Sequence, residues 1–273
     1  MKDLLTIVFI GFDGYSDLWN DCMGLFRRFW PDCPYEVLFV NNTKEISWPG
    51  VKVLHAGADA EWSRKVQLAL AHCHTPYICL LLEDFFVGAA VKNALIEEVL
   101  QTIQRHKLLY YKFTRQFDIK LPLPLFQNYP YLHPIYQDQD YGISLQAAIW
   151  EVDYLKKLLG TDNYNAWKFE FVRVKEAQGK PHQPAQGCVF DERNILNLQH
   201  GVIQSKYLPN TVAYFKKQDK PLHIQRPIMS WAQYYKQFLI AYGKVKLPPS
   251  WRPYIKKLLE TFGMKFVSTV RDK

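Results

Sequence analysis

Several features common in enzymes and membrane proteins are missing from this sequence. No apolar run approaches the ~20 residues of a membrane-spanning helix, so the sequence does not predict an integral membrane protein. The five cysteines are an odd number without a Cys-x-x-Cys pair, which argues against a disulfide framework or a structural zinc site. Gly-x-Gly-x-x-Gly, Walker, Ser-His-Asp and His-Glu-x-x-His patterns are also absent. Dinucleotide-binding, kinase-like, serine hydrolase and zinc protease functions therefore lack support.

The chain does have enough apolar material for a substantial core. Its 273 residues are 48% hydrophobic, 15% aromatic and 22% charged, which predicts one large or two small domains and excludes a disordered chain. The N-terminal Lys2 and the apolar run over residues 4–12 are similar to the start of a signal peptide. Acidic residues follow instead of a cleavage site, so we predict a buried first strand and a cytoplasmic protein.

The positive charge is concentrated near the C-terminus. The net charge is +8, which by itself suggests nucleic-acid binding. Residues 1–205 nevertheless carry 20 Lys+Arg against 23 Asp+Glu, a net charge of −3, whereas residues 206–273 carry 14 against 3, a net charge of +11. Such asymmetry indicates a surface that docks on an anionic partner.

Strand and helix signals alternate in the first half of the chain. The hydrophobic spacing predicts strands over residues 6–10, 35–40, 51–55, 77–82 and 108–113, and helices over 16–30, 62–74 and 91–106. This alternation predicts an α/β fold, Rossmann-related, in which a mostly parallel sheet is flanked by helices on both faces. Ligands of such sheets bind beyond the carboxyl ends of the strands.

The second half is more varied. Residues 121–141 are rich in proline and tyrosine and predict a long loop, which is typical of a lid. We then predict a strand over 143–150, helices over 152–159 and 165–178, and extended structure with turns over 187–207. A basic, aromatic C-terminal extension is expected to form helices over 230–242 and 251–262.

Carboxylates at strand ends are the strongest chemical signal. Glu83 and Asp84 end the apolar strand over 77–82, where they could face a cleft and hold a divalent metal, a ribose hydroxyl or a sugar hydroxyl. The alternative is that they cap the next helix or face solvent. Gly11 and Asp13 after the first strand suit either a ligand or a plain turn.

Two further segments have both a functional and a structural interpretation. The stretch from Asp59 to Lys65 opens a helix, where Arg64 or Lys65 suits a phosphate and Asp59 suits a polar ligand. A capped helix with exposed charges is an equally good interpretation. Glu170 lies beside aromatic residues that include Trp167, as a general base in a partly desolvated cleft would. By pattern alone an exposed glutamate on an amphipathic helix is the better interpretation.

In their order and spacing, several stretches resemble nucleotide-sugar-dependent glycosyltransferases of the GT-A fold, in particular those of bacterial capsule and lipopolysaccharide synthesis. The stretches are IGFDGYSDLW (10–19), GADAEWSR (57–64), LLLEDFF (80–86), QAAIW (146–150) with WKFE (167–170), and GVIQSKY (201–207). The resemblance covers about residues 5–210. It departs from the family at Phe85, where an Asp-x-Asp element has its second aspartate.

The resemblance implies a role for each matching residue. Gly11, Asp13 and Asp59 would contact the nucleoside. Glu83 and Asp84 would contact the ribose, the donor sugar or a metal ion, with Asp84 as the metal ligand together with Glu83. Arg64 and Lys206 would meet the diphosphate. The acceptor side would be formed by Glu170, as the catalytic base of an inverting transfer, together with Trp150 and Trp167. Mg²⁺ or Mn²⁺ is the expected cofactor, with a metal-independent enzyme as the alternative.

The predicted organisation is a catalytic domain over 1–210 and a basic helical extension over 211–273. The nucleotide-sugar half would cover about 1–115 and the acceptor half about 116–210. The predicted function is sugar transfer from a nucleotide sugar to a glycan or lipid-linked glycan in surface polysaccharide biosynthesis, with an anionic membrane surface as a candidate partner of residues 206–273 and no nucleic acid. The alternatives are a nucleic-acid-binding module that uses the basic aromatic tail and a sugar nucleotidyltransferase.

Overall fold

The computed structural model describes residues 2–113, 123–246 and 254. It divides into two compact units, Met1–Pro227 and Ile228–Lys273. The division predicted at residue 210 stays a prediction, and the helix Pro209–Lys217 lies within the first unit. No helix among the described residues combines the length and apolar character needed to cross a membrane.

A central sheet with flanking helices forms the first unit. Its strands are β1 (Leu5–Ile10), β2 (Glu36–Asn41), β3 (Lys52–His55), β4 (Tyr77–Leu82), β5 (Phe85–Val87), β6 (Tyr110–Lys112), β7 (Leu132–Tyr136), β8 (Ala148–Glu151), β9 (Pro184–Asp191), β10 (Leu198–His200), β11 (Val202–Ile203) and β12 (Lys206–Tyr207). Its helices are α1 (Trp19–Phe29), α2 (Trp62–His72), α3 (Asn93–His106), α4 (Val152–Leu159), α5 (Ala166–Ala177) and α6 (Pro209–Lys217), and short 3₁₀ turns cover Lys2–Leu4 and Asp13–Leu18.

The sheet is mixed but mostly parallel. Within the described residues, eight strands pair in the order β3-β2-β1-β4-β8-β6-β9-β7. Strand β8 runs antiparallel to both β4 and β6, and β7 runs antiparallel to β9. Two antiparallel pairs, β5 with β10 and β11 with β12, lie outside this sheet. The predicted fold class, a mostly parallel α/β sheet flanked by helices, is confirmed.

Alternate residues of β1 explain why both faces of the sheet are covered. Ile7 and Phe9 belong to one core cluster with residues of α1 and α3, whereas Val8 and Ile10 belong to a second cluster with residues of α2, α4 and α5. Since successive side chains of a strand point to opposite faces, a strand buried along its whole length needs helices on both sides.

The long loop expected over residues 121–141 is wrong in part. Residues 121 and 122 lie outside the described residues, and Leu132–Tyr136 forms β7 at the end of the sheet. Proline lacks the N–H that an inner strand needs, and an edge position tolerates Pro134. The lid function stays a prediction.

The second unit contains α7 (Trp231–Lys246), close to the helix expected over 230–242. Apart from Tyr254, the helix expected over 251–262 lies outside the described residues.

Candidate active site

Segments from four parts of the first unit meet at the carboxyl edge of the parallel strands. They follow β1 (Phe12 and Asp13), β2 (Asn42) and β4 (Glu83 and Asp84), and the β11–β12 hairpin joins them. The amide N–H of Gly201 donates to the Asp84 carbonyl oxygen at 2.7 Å, and the Tyr15 hydroxyl lies 2.9 Å from Ser205 Oγ. The edge of the sheet where ligands bind in α/β proteins is therefore lined with polar groups.

Glu83 and Asp84 form a half-buried carboxylate pair. Burial, together with the charge of Asp84, raises the pKa of Glu83 to about 8, although Lys65 and an N–H from Phe12 at 3.2 Å partly offset this. Burial also raises the pKa of Asp84 to about 7, although a hydrogen bond from the Val202 N–H acts to lower it. Two neighbouring acids with perturbed pKa values are a common feature of functional sites.

Lys65 is a buried cation of this site. It ends the stretch Asp59–Lys65, in which Arg64 was the residue assigned to the diphosphate from the sequence. Lys65 Nζ donates to the Gly11 carbonyl oxygen at 2.9 Å and lies 5.2 Å from the centre of the Phe12 ring. Burial lowers the pKa of Lys65, and the charges of Glu83 and Asp13 oppose that shift. An ammonium group in this position compensates the carboxylate pair, and its charge could attract an anionic ligand to the site.

Asp13 holds the segment that follows β2. Its Oδ1 accepts the Asn42 N–H at 3.0 Å, and its Oδ2 accepts the N–H groups of Thr43 (3.0 Å) and Lys44 (3.1 Å) and the Thr43 hydroxyl (2.9 Å). Partial burial raises its pKa, but these donors lower it overall. The carboxylate fixes the shape of the site, and contact with a nucleoside stays a prediction.

Asn42 connects Asp13 to the segment that contains Asp59. Its Nδ2 donates to the carbonyl oxygens of Gly57 at 3.1 Å and Ala60 at 2.8 Å. Asp59 itself is exposed, and its carbonyl oxygen accepts from Asn163 Nδ2 at 2.9 Å. Asn42 was missed, although a polar residue directly after a buried strand was the same signal that singled out Glu83.

The other donor-side candidates lie in different environments. Arg64 is exposed and donates to Gln67 at 3.1 Å, one turn along the same helix. Lys206 is half-buried in β12, within the hairpin that reaches the site. Gly11 is packed by the core, because a Cβ there would lie 2.7 Å from the Phe39 ring.

Glu170, the base expected on the acceptor side, contacts the segment that leads into β8 at the same edge of the sheet. Its Oε1 accepts the Leu145 N–H at 3.0 Å. Burial raises its pKa, while that hydrogen bond and the charge of Lys112 act in the opposite direction. Leu145 lies just before β8, and Ala148 of β8 pairs with Leu80 of β4, so Glu170 contacts the segment that enters the strand next to β4.

The two tryptophans expected on the acceptor side have opposite environments. Trp150 is fully buried in β8, with its ring centre 4.2 Å from that of Tyr110. A buried indole has no free surface for a glycan, so the structure places Trp150 in the core. Trp167 is 62% exposed, three residues before Glu170 on α5, and suits a contact with a sugar.

We expect Trp150→Ala to lower the free energy of unfolding by about 3–5 kcal/mol because it leaves a cavity in the core. Trp167→Ala is the matched control and should change stability by less than about 0.5 kcal/mol. Urea denaturation of both variants measures this. A Trp150→Ala protein of unchanged stability would contradict the placement in the core.

The carboxylate pair fits a divalent cation. Mg²⁺ is commonly held by one or two carboxylates together with substrate phosphates, and a cation would relieve the repulsion between Glu83 and Asp84. Phe85 supplies no ligand because its side chain has no oxygen, nitrogen or sulfur atom. Its ring is buried in β5, with its centre 4.9 Å from that of the His200 ring. Among the residues that the structure describes, no three His, Cys, Asp or Glu residues cluster as a metal site, so phosphate oxygens would have to complete the coordination.

Comparisons with known proteins give structural neighbours only. No family model and no curated protein matches the sequence. The structure is similar to S. aureus TarS in complex with UDP-GlcNAc, with a TM-score of 0.44 and 9% identity over 92% of this chain and 78% of that chain. It is also similar to the 2-C-methyl-D-erythritol 4-phosphate cytidylyltransferase of Thermus thermophilus, with a TM-score of 0.45 and 13% identity over 78% and 98%.

A third neighbour is an active-site mutant of LgtC, with a TM-score of 0.37 and 10% identity over 90% of this chain and 99% of that chain. The chain spans 60% of the length of one matched TarS fragment and 37% of a longer TarS chain.

Proposed function

We propose that the protein is a glycosyltransferase that moves a sugar from a nucleotide-sugar donor to a glycan or lipid-linked glycan in surface polysaccharide biosynthesis. The observation that carries the proposal is the arrangement of two acidic centres along one edge of the sheet. Glu83 and Asp84, with Lys65 beside them, would form the donor side, and Glu170, against the segment that enters the neighbouring strand β8, would form the acceptor side. This arrangement suits a reaction that joins two substrates.

On the donor side, the buried charge of Lys65 would stabilise, without direct contact, the negative charge that develops on the leaving nucleoside diphosphate. Preorganised charge of this kind stabilises a transition state because it needs no reorganisation during the reaction. Glu83 and Asp84 would hold ribose or sugar hydroxyls, or would bind Mg²⁺ or Mn²⁺. Such a cation supplies further neutralisation of the diphosphate.

On the acceptor side, Glu170 would accept the proton of the attacking hydroxyl. The acceptor oxygen forms a bond to the anomeric carbon while the bond from that carbon to the diphosphate oxygen breaks, and the electron pair leaves with the diphosphate. A single displacement of this kind inverts the anomeric configuration. The Leu145 N–H holds one oxygen of the base in place.

A thermal shift experiment with nucleotides tests this proposal. The panel contains UDP, GDP, CMP and UDP-GlcNAc, each with and without Mg²⁺ or Mn²⁺. A nucleotide that binds, at a free concentration 100 times its dissociation constant, should raise the free energy of unfolding by about 2.7 kcal/mol. Salt-sensitive stabilisation by random oligonucleotides, with no response to any nucleotide, would instead support a nucleic-acid-binding module.

We further propose that the protein is cytoplasmic and that residues 228–273 dock on the anionic inner face of a membrane. These residues carry nine Lys+Arg against Glu260 and Asp272. Trp231, Tyr235 and Leu239 are exposed at a spacing of four residues on α7. Aromatic and apolar side chains on one helix face, combined with basic charge, suit the interface of an anionic bilayer.

We expect wild-type protein to sediment with phosphatidylglycerol vesicles and not with phosphatidylcholine vesicles. The triple variant Trp231→Ser, Tyr235→Ser, Leu239→Ser should lose most of this binding because it removes the inserted apolar surface. Ala232→Ser, on the same helix, is the control. Equal sedimentation of the triple variant and wild type would overturn the proposed docking.

A further inference from the structure

The segment that precedes β8 is fastened to its surroundings by side chains of β6 and α5. Lys112 Nζ donates to the carbonyl oxygens of Tyr141 at 3.1 Å and Gly142 at 3.0 Å. The Tyr110 hydroxyl donates to the Ser144 carbonyl oxygen at 3.1 Å. At its end, the segment gives its Leu145 N–H to the carboxylate of Glu170. Lys112 and Glu170 thus hold the two ends of one five-residue segment.

The same two residues also interact by charge. Lys112 is buried, and burial lowers its pKa to about 8, whereas the negative charge of Glu170 raises it. Lys112 and Tyr110, both on β6, are the titratable groups that act together with Glu170 across this contact. On α5 itself, Arg173 is paired with Glu176 at 2.7 Å.

We propose that Lys112 is the positioning residue for Glu170. It holds the 141–145 segment against that carboxylate, and its positive charge favours the ionised form of the carboxylate. The proposal rests on Glu170 acting as the base of the proposed sugar transfer. A buried ammonium group with two hydrogen bonds to backbone carbonyls can do this without touching a substrate.

The direction of the effect follows from the charges. A positive neighbour favours the ionised carboxylate and lowers its pKa, so removal of that charge raises the pKa of Glu170. A general base works only when it is deprotonated, so the acidic limb of the activity profile moves to higher pH when the charge is lost. A loss of purely structural support would lower the rate at every pH without moving the limb.

The experiment follows the carboxyl carbon of Glu170 by NMR as pH is varied, in wild type and in Lys112→Met and Lys112→Gln. We expect the pKa of Glu170 to rise by about one pH unit in both variants. Lys112→Gln removes the charge but keeps N–H donors on a slightly shorter side chain, so its comparison with Lys112→Met separates the electrostatic role from the structural one. Lys168→Met, on the exposed side of α5, should leave the pKa of Glu170 unchanged.

Each outcome decides the matter. The proposal is supported if the pKa of Glu170 rises in both Lys112 variants and the pH profile of kcat/KM shifts to match. An unchanged pKa of Glu170 overturns it. If neither variant folds, wild-type Glu170 should still show a second inflection near the pKa of Lys112, and its absence overturns the proposal. A coupled titration without any sugar transfer in wild type would reject the proposed function while leaving the pairing intact.

Discussion

We expect the Glu170→Gln variant to transfer sugar ~10²–10⁴-fold more slowly than wild type, because a positioned base contributes about that factor. Glutamine has nearly the same shape as glutamate and still presents an oxygen to the Leu145 N–H, so the fold and the affinity for the nucleotide sugar should be unchanged. Initial rates of transfer at saturating donor, together with the melting temperature, measure both quantities.

Glu176→Gln is the matched control for this prediction. Glu176 lies on the same helix, is exposed, and pairs with Arg173, so its substitution should leave the rate unchanged. Full transfer activity in Glu170→Gln would remove Glu170 from the reaction.

We expect Lys65→Met to weaken nucleoside diphosphate binding by about 30-fold or more, equivalent to about 2 kcal/mol, because the site loses its buried cation. The methionine side chain fills similar space but cannot bond to the Gly11 carbonyl oxygen or compensate Glu83. Isothermal titration with UDP measures the affinity, and the melting temperature shows whether the variant is folded.

Arg64→Met is the control, since Arg64 is exposed and bonds to Gln67 on its own helix. Its affinity for UDP should stay near that of wild type. The reverse result would be a loss of UDP affinity in Arg64→Met and no loss in Lys65→Met. It would show that Arg64, the residue expected from the sequence, is the diphosphate contact.

The contrast between these two residues shows where sequence reasoning stops. The helical period placed both in the first turns of α2, and either charge could have met a phosphate. Successive residues on a helix point about 100° apart, so only the packing of α2 on the sheet decides which one faces the site. The burial of Val66 and Ala69 against β1 and β2 turns Lys65 towards Gly11.

Local patterns did predict most strands and helices of the first half of the chain, and helix α4 in the second half. The strand over 77–82 coincides with β4, and the helix over 152–159 coincides with α4. Fully apolar strands need cover on both faces, which is why the layered architecture could be inferred. The antiparallel direction of β8 could not be inferred from the sequence, because its apolar run fits a buried strand of either direction. Its pairing with β4 and β6 depends on tertiary structure.

The different environments of Trp150 and Trp167 could not be predicted from the sequence. Trp150 and Trp167 both stand next to charged residues in the sequence. One is on a central strand and the other on the outer face of a helix, and the sequence pattern alone does not separate these positions. Helix α6 was missed although Pro209 at its first turn is a common start signal.

Product analysis after incubation with nucleotide sugars tests the central claim most directly. Wild-type protein is mixed with a panel of UDP-, GDP- and CMP-sugars and simple glycoside acceptors, and in parallel with nucleoside triphosphates and sugar phosphates. We expect release of the free nucleotide from one donor together with a glycosylated acceptor, and loss of both products in Glu170→Gln. Release of pyrophosphate from a nucleoside triphosphate, with no sugar transferred from any donor, would contradict this account and identify a nucleotidyltransferase.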